Sequence, residues 1–261
     1  MRGICLAGGR GTRLQKSTSI HNKHLLPVYS HQGAYPMICY PLQTLINSGC
    51  DDILIISSQE HCGDIIEFLG DGHQFGLKSL TYKVQDHNSP IENPVGIASA
   101  MKLISGFVKD EPFAVILGDN FYEDSFKKQF TEFEEKYKST NAPSAHIFLK
   151  EVNDIKRFGC VKFNGGVIVD IIEKPKDPPS NFAVSGLYLF SPDVLNLLPS
   201  LIVSYRGELE VSDVNAHYVK QGQMSHTIIS GFWHDLGTPE SMLYGQQWIN
   251  DNNYKVTIFN E

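Results

Sequence analysis

The residues that could do chemistry begin at Leu6-Ala7-Gly8-Gly9-Arg10-Gly11-Thr12-Arg13-Leu14. Glycines at 8, 9 and 11 remove the Cβ atoms that would hold a backbone away from a ligand. Peptide N–H groups in such a turn can converge on an anion, and Arg13 adds a forked positive charge just beyond it. Lys23, in Asn22-Lys23-His24-Leu25-Leu26-Pro27, can bring a second cation to the same loop. Neither common nucleotide loop is present. A P-loop requires Lys-Ser/Thr directly after its last glycine, whereas Gly11 precedes Thr12-Arg13. A dinucleotide fingerprint requires a further glycine where Leu14 stands. Taken alone, the stretch could equally be a glycine-rich connection that binds nothing.

Two aspartates stand in matched settings far apart. Asp119 follows an apolar run in Leu117-Gly118-Asp119-Asn120, and Asp235 lies in Trp233-His234-Asp235-Leu236-Gly237-Thr238. A carboxylate at the end of an apolar strand is costly to desolvate unless a cation meets it. Mg²⁺ takes one or two carboxylates, several waters and substrate phosphates, so this pair beside a phosphate loop suits it. Either aspartate alone could instead cap a turn. Glu173-Lys174-Pro175 offers a phosphate-gripping amine and a carboxylate for sugar hydroxyls. Pro175 biases Lys174 towards an extended backbone. The charges of Arg206-Gly207-Glu208-Leu209-Glu210 precede a helix, where acidic residues are also favoured by the macrodipole. The histidines and cysteines show no metal-ligand spacing, and no G-x-S-x-G is present.

The elements that must position these groups alternate. Strand-like runs at 3–6, 53–57, 80–85 and 113–117 are separated by predicted helices at 37–48, 64–69 and 96–104. A helix is predicted over 125–137, with Phe126, Phe130 and Phe133 on its apolar face. This pattern predicts a mainly parallel sheet covered on both faces, which binds ligands at its strands' carboxyl ends. The second half is richer in β-structure. It has a hairpin around Asn164-Gly165-Gly166, a strand at 183–190, a helix at 210–221, and a last helix capped by Thr238 with Pro239 in its first turn.

A chain of 261 residues with net charge −7 lacks the basic excess of a nucleic-acid binder. Its five scattered cysteines, odd in number and without C-x-x-C spacing, point to reduced thiols. Neither a leader-like apolar stretch nor a membrane-length run is present, so a cytoplasmic protein without a membrane partner is expected. No Gly/Ser/Pro-rich linker or repeat interrupts it, and one domain is expected.

Together these stretches, with Val184-Ser185-Gly186-Leu187-Tyr188, stand in an order that resembles the sugar-1-phosphate nucleotidyltransferases, nearest the short glucose-1-phosphate thymidylyltransferases. The resemblance covers nearly the whole chain. It implies an α/β, doubly wound, mainly parallel Rossmann-like sheet with a β-rich sugar-binding portion. It also implies a single domain whose nucleotide half covers about 1–145 and sugar-phosphate half about 146–261. Leu6, Gly8, Gly9, Gly11, Thr12 and Arg13 would hold the nucleotide, with Gln85 and Gly96 at the base and Asp119 near the ribose and metal. Arg13 and Lys23 would lie on the triphosphate. Gly159, Glu173, Lys174 and Val184 would line the sugar-phosphate pocket, Arg206 near its phosphate, while Asp119 and Asp235 share Mg²⁺. The implied reaction joins a nucleoside triphosphate, dTTP first, to glucose 1-phosphate, with Arg13, Lys23, Asp119, Lys174 and Asp235 as its catalytic set, in a homo-oligomer. Long forms continue into C-terminal helices that build a regulatory site, which a chain ending at Glu261 is expected to lack.

Four departures bear on substrate choice: a longer stretch at 86–95, an insertion at 30–35, Ser99 in place of a common glutamine, and Phe158 in place of a tyrosine. UTP or another sugar 1-phosphate is therefore the alternative. A nucleotide-sugar glycosyltransferase would commonly carry D-x-D, where this chain has Asp119-Asn120-Phe121. A non-catalytic sensor would not need Arg13, Lys23 and Asp235 together.

Overall fold

The computed structural model describes residues 1–9, 11, 14, 22–85 and 95–259. Its strands are β1 (Arg2–Ala7), β2 (Pro27–Ser30), β3 (Gly33–Pro36), β4 (Asp52–Ser58), β5 (Ser79–Gln85), β6 (Phe113–Leu117) and β7 (Asn120–Tyr122). They continue as β8 (Ala145–Glu151), β9 (Gly159–Asn164), β10 (Val167–Glu173), β11 (Phe182–Phe190), β12 (Met224–Ile228) and β13 (Trp233–Asp235). The helices are α1 (Cys39–Asn47), α2 (Cys62–Leu69), α3 (Ile97–Met101), α4 (Ser105–Val108), α5 (Lys127–Thr140), α6 (Val194–Leu197), α7 (Val211–Lys220) and α8 (Pro239–Asp251). This is the mixed α/β architecture that the alternating pattern predicts. The chain divides into two compact units, Met1–Gln85 with Ile116–Phe130 and Gly231–Glu261, and Asp86–Val115 with Thr131–Ser230.

In the first unit the strand order is β6-β1-β4-β5. β1 pairs with β4 and β4 with β5, both parallel. Continuous apolar runs such as Ile53-Leu54-Ile55-Ile56 form these strands because both faces of a parallel sheet are covered. Their carboxyl ends deliver Gly8, Ser58, Gln85 and Gly118 to one edge of the sheet. A second core beyond that edge contains Leu14, Val28, Met37, Tyr40, Phe121, Leu236 and Ile249, all buried. Phe121 meets Tyr40, Trp248 and Tyr254 edge-on, with ring centroids 4.7–5.5 Å apart. These contacts fix β7, which pairs antiparallel with β13. α8 begins as expected, with Thr238 and Ser241 forming a reciprocal capping box and Pro239 in the first turn. The inserted residues 30–35 belong to the β2–β3 hairpin, held by the Tyr29 N–H on Gln246 Oε1 (3.1 Å) and the His31 N–H on Asn250 Oδ1 (2.6 Å).

The second unit has the order β10-β9-β11-β6, with β8 beside β11 and β12 beside β8. Its hairpin β9–β10 is antiparallel and turns at Gly165-Gly166, both at positive φ. The helix predicted over 96–104 divides. After Met101 the chain tightens into i→i+3 bonds, Leu103 N–H to Ala100 O (3.0 Å) and Ile104 N–H to Met101 O (3.3 Å), before α4 begins. β8 and β12 do not stand out in the sequence, because their burial comes from neighbours rather than from a clean alternation.

His146 on β8 lies between the hydroxyls of Ser225 (2.8 Å) and Thr227 (3.0 Å). Burial, reinforced by His226 and Lys136, pushes its pKa down to about 4 from an ordinary value of 6.5. The folded state therefore binds this proton less readily than the unfolded chain. The stability that this supplies is complete above pH 6.5 and is lost as pH falls towards 4, roughly 3 kcal/mol in all. Urea midpoints measured from pH 7 to 4.5 should fall in the wild type and fall less steeply in His146→Gln. Parallel slopes would remove His146 from this role.

All five cysteines are buried, and none is in a disulfide. No helix among the described residues is long and apolar enough to cross a membrane.

Candidate active site

β1 ends at Ala7, and the backbone that follows runs against the ends of β4 and β5. A Cβ on Gly8 would stand 3.3 Å from Gln85 Oε1 and 3.6 Å from the Ser57 and Ser58 backbone. The Gln85 side chain therefore lies across the glycine turn. Gln85 is only 9 % exposed, and its Nε2 has no hydrogen-bond partner among the described residues. An unpaired buried amide donor costs about 1–3 kcal/mol, which a ligand carbonyl would recover. The Leu6 carbonyl accepts from the Gly118 N–H (2.9 Å), joining the ends of β1 and β6. Gly11 has φ 63° and accepts from the buried Leu14 N–H (2.8 Å). Arg10, Thr12 and Arg13 lie outside the described residues.

The cation that Asp119 requires is Lys23, whose Nζ lies 2.7 Å from Asp119 Oδ2. Both side chains are buried. Asn120 Nδ2 donates to Asp119 Oδ1 (2.9 Å), and Asn120 Oδ1 in turn accepts from Trp233 Nε1 (2.7 Å). Asp235 stands opposite Asn120 in the β7–β13 ladder, and the Leu236 N–H donates to the Asp119 carbonyl (2.7 Å). Backbone pairing thus brings two sequence-distant aspartates to adjacent positions, both 7 % exposed. Among the described residues no group of three His, Cys, Asp or Glu could enclose a metal. Two buried carboxylates fit Mg²⁺, which takes one or two together with waters and phosphates. They do not fit a closed zinc or calcium cage.

His24, next to Lys23, is 1 % exposed, and burial followed by the Lys23 charge pushes its pKa down to about 3. A neutral ring is therefore held beside the ion pair. It drew no role from the sequence, where a lone histidine has no ligand spacing.

The second unit assembles the sugar-phosphate candidates. Glu173 pairs with Gly159 across β10 and β9, and a Cβ on Gly159 would meet Glu173 Oε2 at 3.3 Å and Val184 at 3.8 Å. Lys174 Nζ lies 3.6 Å and Arg206 Nη1 3.4 Å from Glu173 Oε1. Burial raises the Glu173 pKa, while the Lys174 charge opposes the rise. Arg206 is also shared by Glu208 (3.1 Å) and Glu210 (3.2 Å). Neither carboxylate stood out as a site residue, although the spacing of Arg206 and Glu210 is the i,i+4 of an ion pair. A cavity of about 420 Å³ lies alongside, lined in part by Glu173, Ser204, Tyr205, Glu210 and Ser212.

The expected extended backbone at Lys174 is corrected: its φ is +42°. Pro175 favours an extended backbone at its predecessor, and here the tertiary setting overrides that local bias. The bond from the Lys174 N–H to the Phe158 carbonyl (3.1 Å), closing the hairpin, accompanies the left-handed turn. A non-glycine residue held there stores strain of order 1–3 kcal/mol, a common feature of ligand-gripping positions.

Gly96, expected at the base, lies in this unit against Leu209. Its φ is 119°, and a Cβ would approach the Leu209 carbonyl oxygen to 2.4 Å. Close backbone approach by itself requires glycine at this position.

A family model described as nucleotidyl transferase matches residues 2–252. The glucose-1-phosphate thymidylyltransferase of Neisseria meningitidis serogroup A is 40 % identical over 246 residues, 93 % of this chain and 80 % of its own. That of Actinoplanes sp. is 38 % identical over 241 residues, 91 % and 74 % of the two chains. A Bacillus anthracis crystal structure described as a glucose-1-phosphate thymidylyltransferase with sucrose superposes with TM-score 0.87 at 40 % identity, covering 100 % of this chain and 99 % of that one. UDP-glucose pyrophosphorylase complexed with UDP-glucose shares the fold, with TM-score 0.77 at 24 % identity over 95 % of this chain and 98 % of that one. By a family match that spans nearly its full length, and by relatives similar over most of theirs, the chain belongs to the nucleotidyl transferases.

Proposed function

We propose that the protein transfers a thymidylyl group from dTTP to glucose 1-phosphate, releasing pyrophosphate and dTDP-glucose. The observation that carries this reading is the buried Lys23–Asp119 pair between the β1 and β6 ends, with Asp235 on the adjoining strand. The relatives named above support the choice of substrates. On this reading the chain is one nucleotidyltransferase domain, cytoplasmic and homo-oligomeric, and neither nucleic acid nor membrane is a partner.

The first unit would take the nucleotide. Leu6, Gly8, Gly9 and Gly11, with Thr12 and Arg13, would hold it through backbone N–H groups and charge. Gln85 would read the base, and Lys23 would lie along the triphosphate. The second unit would take the sugar phosphate, with Lys174 and Arg206 on its phosphate and Glu173, Gly159 and Val184 around the ring. Asp119 and Asp235 would hold Mg²⁺, which when bound supplies positive charge for the phosphates.

A phosphate oxygen of glucose 1-phosphate attacks the α-phosphorus in line, the bond to the β-phosphate oxygen breaks, and pyrophosphate carries away the electron pair. With a second phosphate pKa near 6, by analogy with phosphorylated side chains, the nucleophile is mostly dianionic at neutral pH. It needs no general base. The work left to the protein is to hold two polyanions together and to stabilise charge on the transferring group. Lys23 can do this by moving between Asp119 and a phosphate oxygen.

A panel of triphosphates against several sugar 1-phosphates, read as pyrophosphate release, tests the proposal. Gln85 offers a donor and an acceptor that match the imide edge common to thymine and uracil. The thymine methyl is worth only ~1 kcal/mol in an apolar pocket. dTTP should therefore lead, with UTP a usable second and CTP well below both. A kcat/KM for CTP equal to either would defeat the assignment of Gln85, and no turnover with any pair would defeat the function itself.

A further inference from the structure

His24 fills the space between two backbone turns of the first unit. A Cβ on Gly118 would come within 2.7 Å of His24 Cδ2 and 3.2 Å of its Nε2, and a Cβ on Gly9 within 3.9 Å of its Cε1. The outer edge of the imidazole therefore packs closely behind Gly118 in the turn after β6 and faces Gly9 in the turn after β1. Its inner edge is fixed. Asn22 Oδ1 accepts from the His24 backbone N–H (2.7 Å) and lies 2.8 Å from the ring Nδ1. The residue's own backbone is anchored independently, its carbonyl accepting from the Ile38 N–H (2.8 Å). Lys23 shares the same wedge, its Nζ 3.5 Å from the Gly9 Cβ position and 2.7 Å from Asp119 Oδ2.

Interiors are close-packed, and a missing ring edge lets its neighbours shift by fractions of an ångström. Here the neighbours are the turn assigned to the nucleotide phosphates and the turn that carries Asp119. Resting on the nucleotidyl-transfer reading, we propose that His24 is a positioning residue. Its outer ring edge spaces Gly9 from Gly118 and so sets where Lys23 and Asp119 meet the α-phosphate. The ring itself touches no reacting atom.

His24→Asn and His24→Gln separate this role from simple packing. Asparagine places an amide at the Nδ1 position and keeps the bond to Asn22, but leaves the outer edge empty. Glutamine reaches the Nε2 position and refills it. Both are amides of similar polarity on a backbone held by Ile38 and Asn22, so both should fold. A misplacement of about 1 Å can cost on the order of 100-fold in rate. His24→Asn should therefore lose at least roughly 10-fold in kcat, with KM for dTTP within about threefold of wild type. His24→Gln should keep kcat within about threefold. Thermal melts of both should lie close together. Equal kcat in the two variants, or a kcat that falls in step with melting temperature, would overturn the positioning role. A wild type inactive with every substrate pair would instead overturn the functional reading on which it rests. If His24→Asn does not fold, dTTP-dependent protection of wild type and His24→Gln gives the decision: undiminished affinity with a kcat ratio above about tenfold between them overturns the spacing argument.

Discussion

Asp119→Asn and Asp235→Asn should each lower turnover by about two orders of magnitude or more. A metal's stabilisation of phosphoryl charge is worth several kcal/mol, and each ~1.4 kcal/mol is tenfold in rate. Asp119→Asn should also lose stability. Asp119→Asn removes the charge paired with the buried Lys23 at 2.7 Å, and breaking a buried pair from one side can cost on the order of 3–5 kcal/mol. The asparagine keeps an acceptor oxygen for the ammonium, which moderates that loss. Pyrophosphate release at saturating Mg²⁺, run beside a thermal melt, reads both effects. Near-normal turnover in either variant would remove that aspartate from the metal site. A turnover loss in Asp119→Asn that disappears well below its melting temperature would mark a structural defect only.

Lys174→Ala and Arg13→Ala should divide the reaction between binding and chemistry. Lys174 stands beside Glu173 in the second unit, where the phosphate it would grip is charged before any bond changes. Its loss should raise KM for glucose 1-phosphate by about tenfold or more and leave kcat within a few-fold, the signature of lost uniform binding. Arg13 should act where charge develops on the transferring group, so its loss should lower kcat by about 10²–10³ with little change in KM. Steady-state kinetics with each substrate varied in turn would show the reverse pattern if the two roles were exchanged. The Lys174 result also bears on its left-handed backbone. Lys174→Gly, which relieves that strain, should raise the melting temperature while losing sugar-phosphate affinity as the alanine variant does.

Much of the fold was legible because its cues are local. Apolar runs marked β1, β4 and β6, and Thr238-Pro239 marked the start of α8. The glycine turn after β1 and the cation partner of the aspartate after β6 followed from glycine chemistry and the cost of an unpaired carboxylate. β7 and β13 were not visible. Each is three residues long, too short to show periodicity, and they are strands only because each pairs with the other.

What the sequence by itself determined is a set of groups and their local conformations: a glycine turn, two strand-end carboxylates, a hairpin closing on Glu173-Lys174, and a family order. What only the tertiary structure decided is which of them meet. Nothing local says that Lys23 pairs with Asp119, 96 residues away, or that Gln85 crosses Gly8. Nor does the sequence show that a histidine without ligand spacing fills the gap beside Gly118. At Lys174 the local rule favoured an extended backbone, whereas the observed left-handed one closes the hairpin with a bond to Phe158. The reason is the same in each case. Propensity and spacing act over a few residues, whereas burial, charge pairing and close packing depend on atoms that sheet pairing brings from distant parts of the chain.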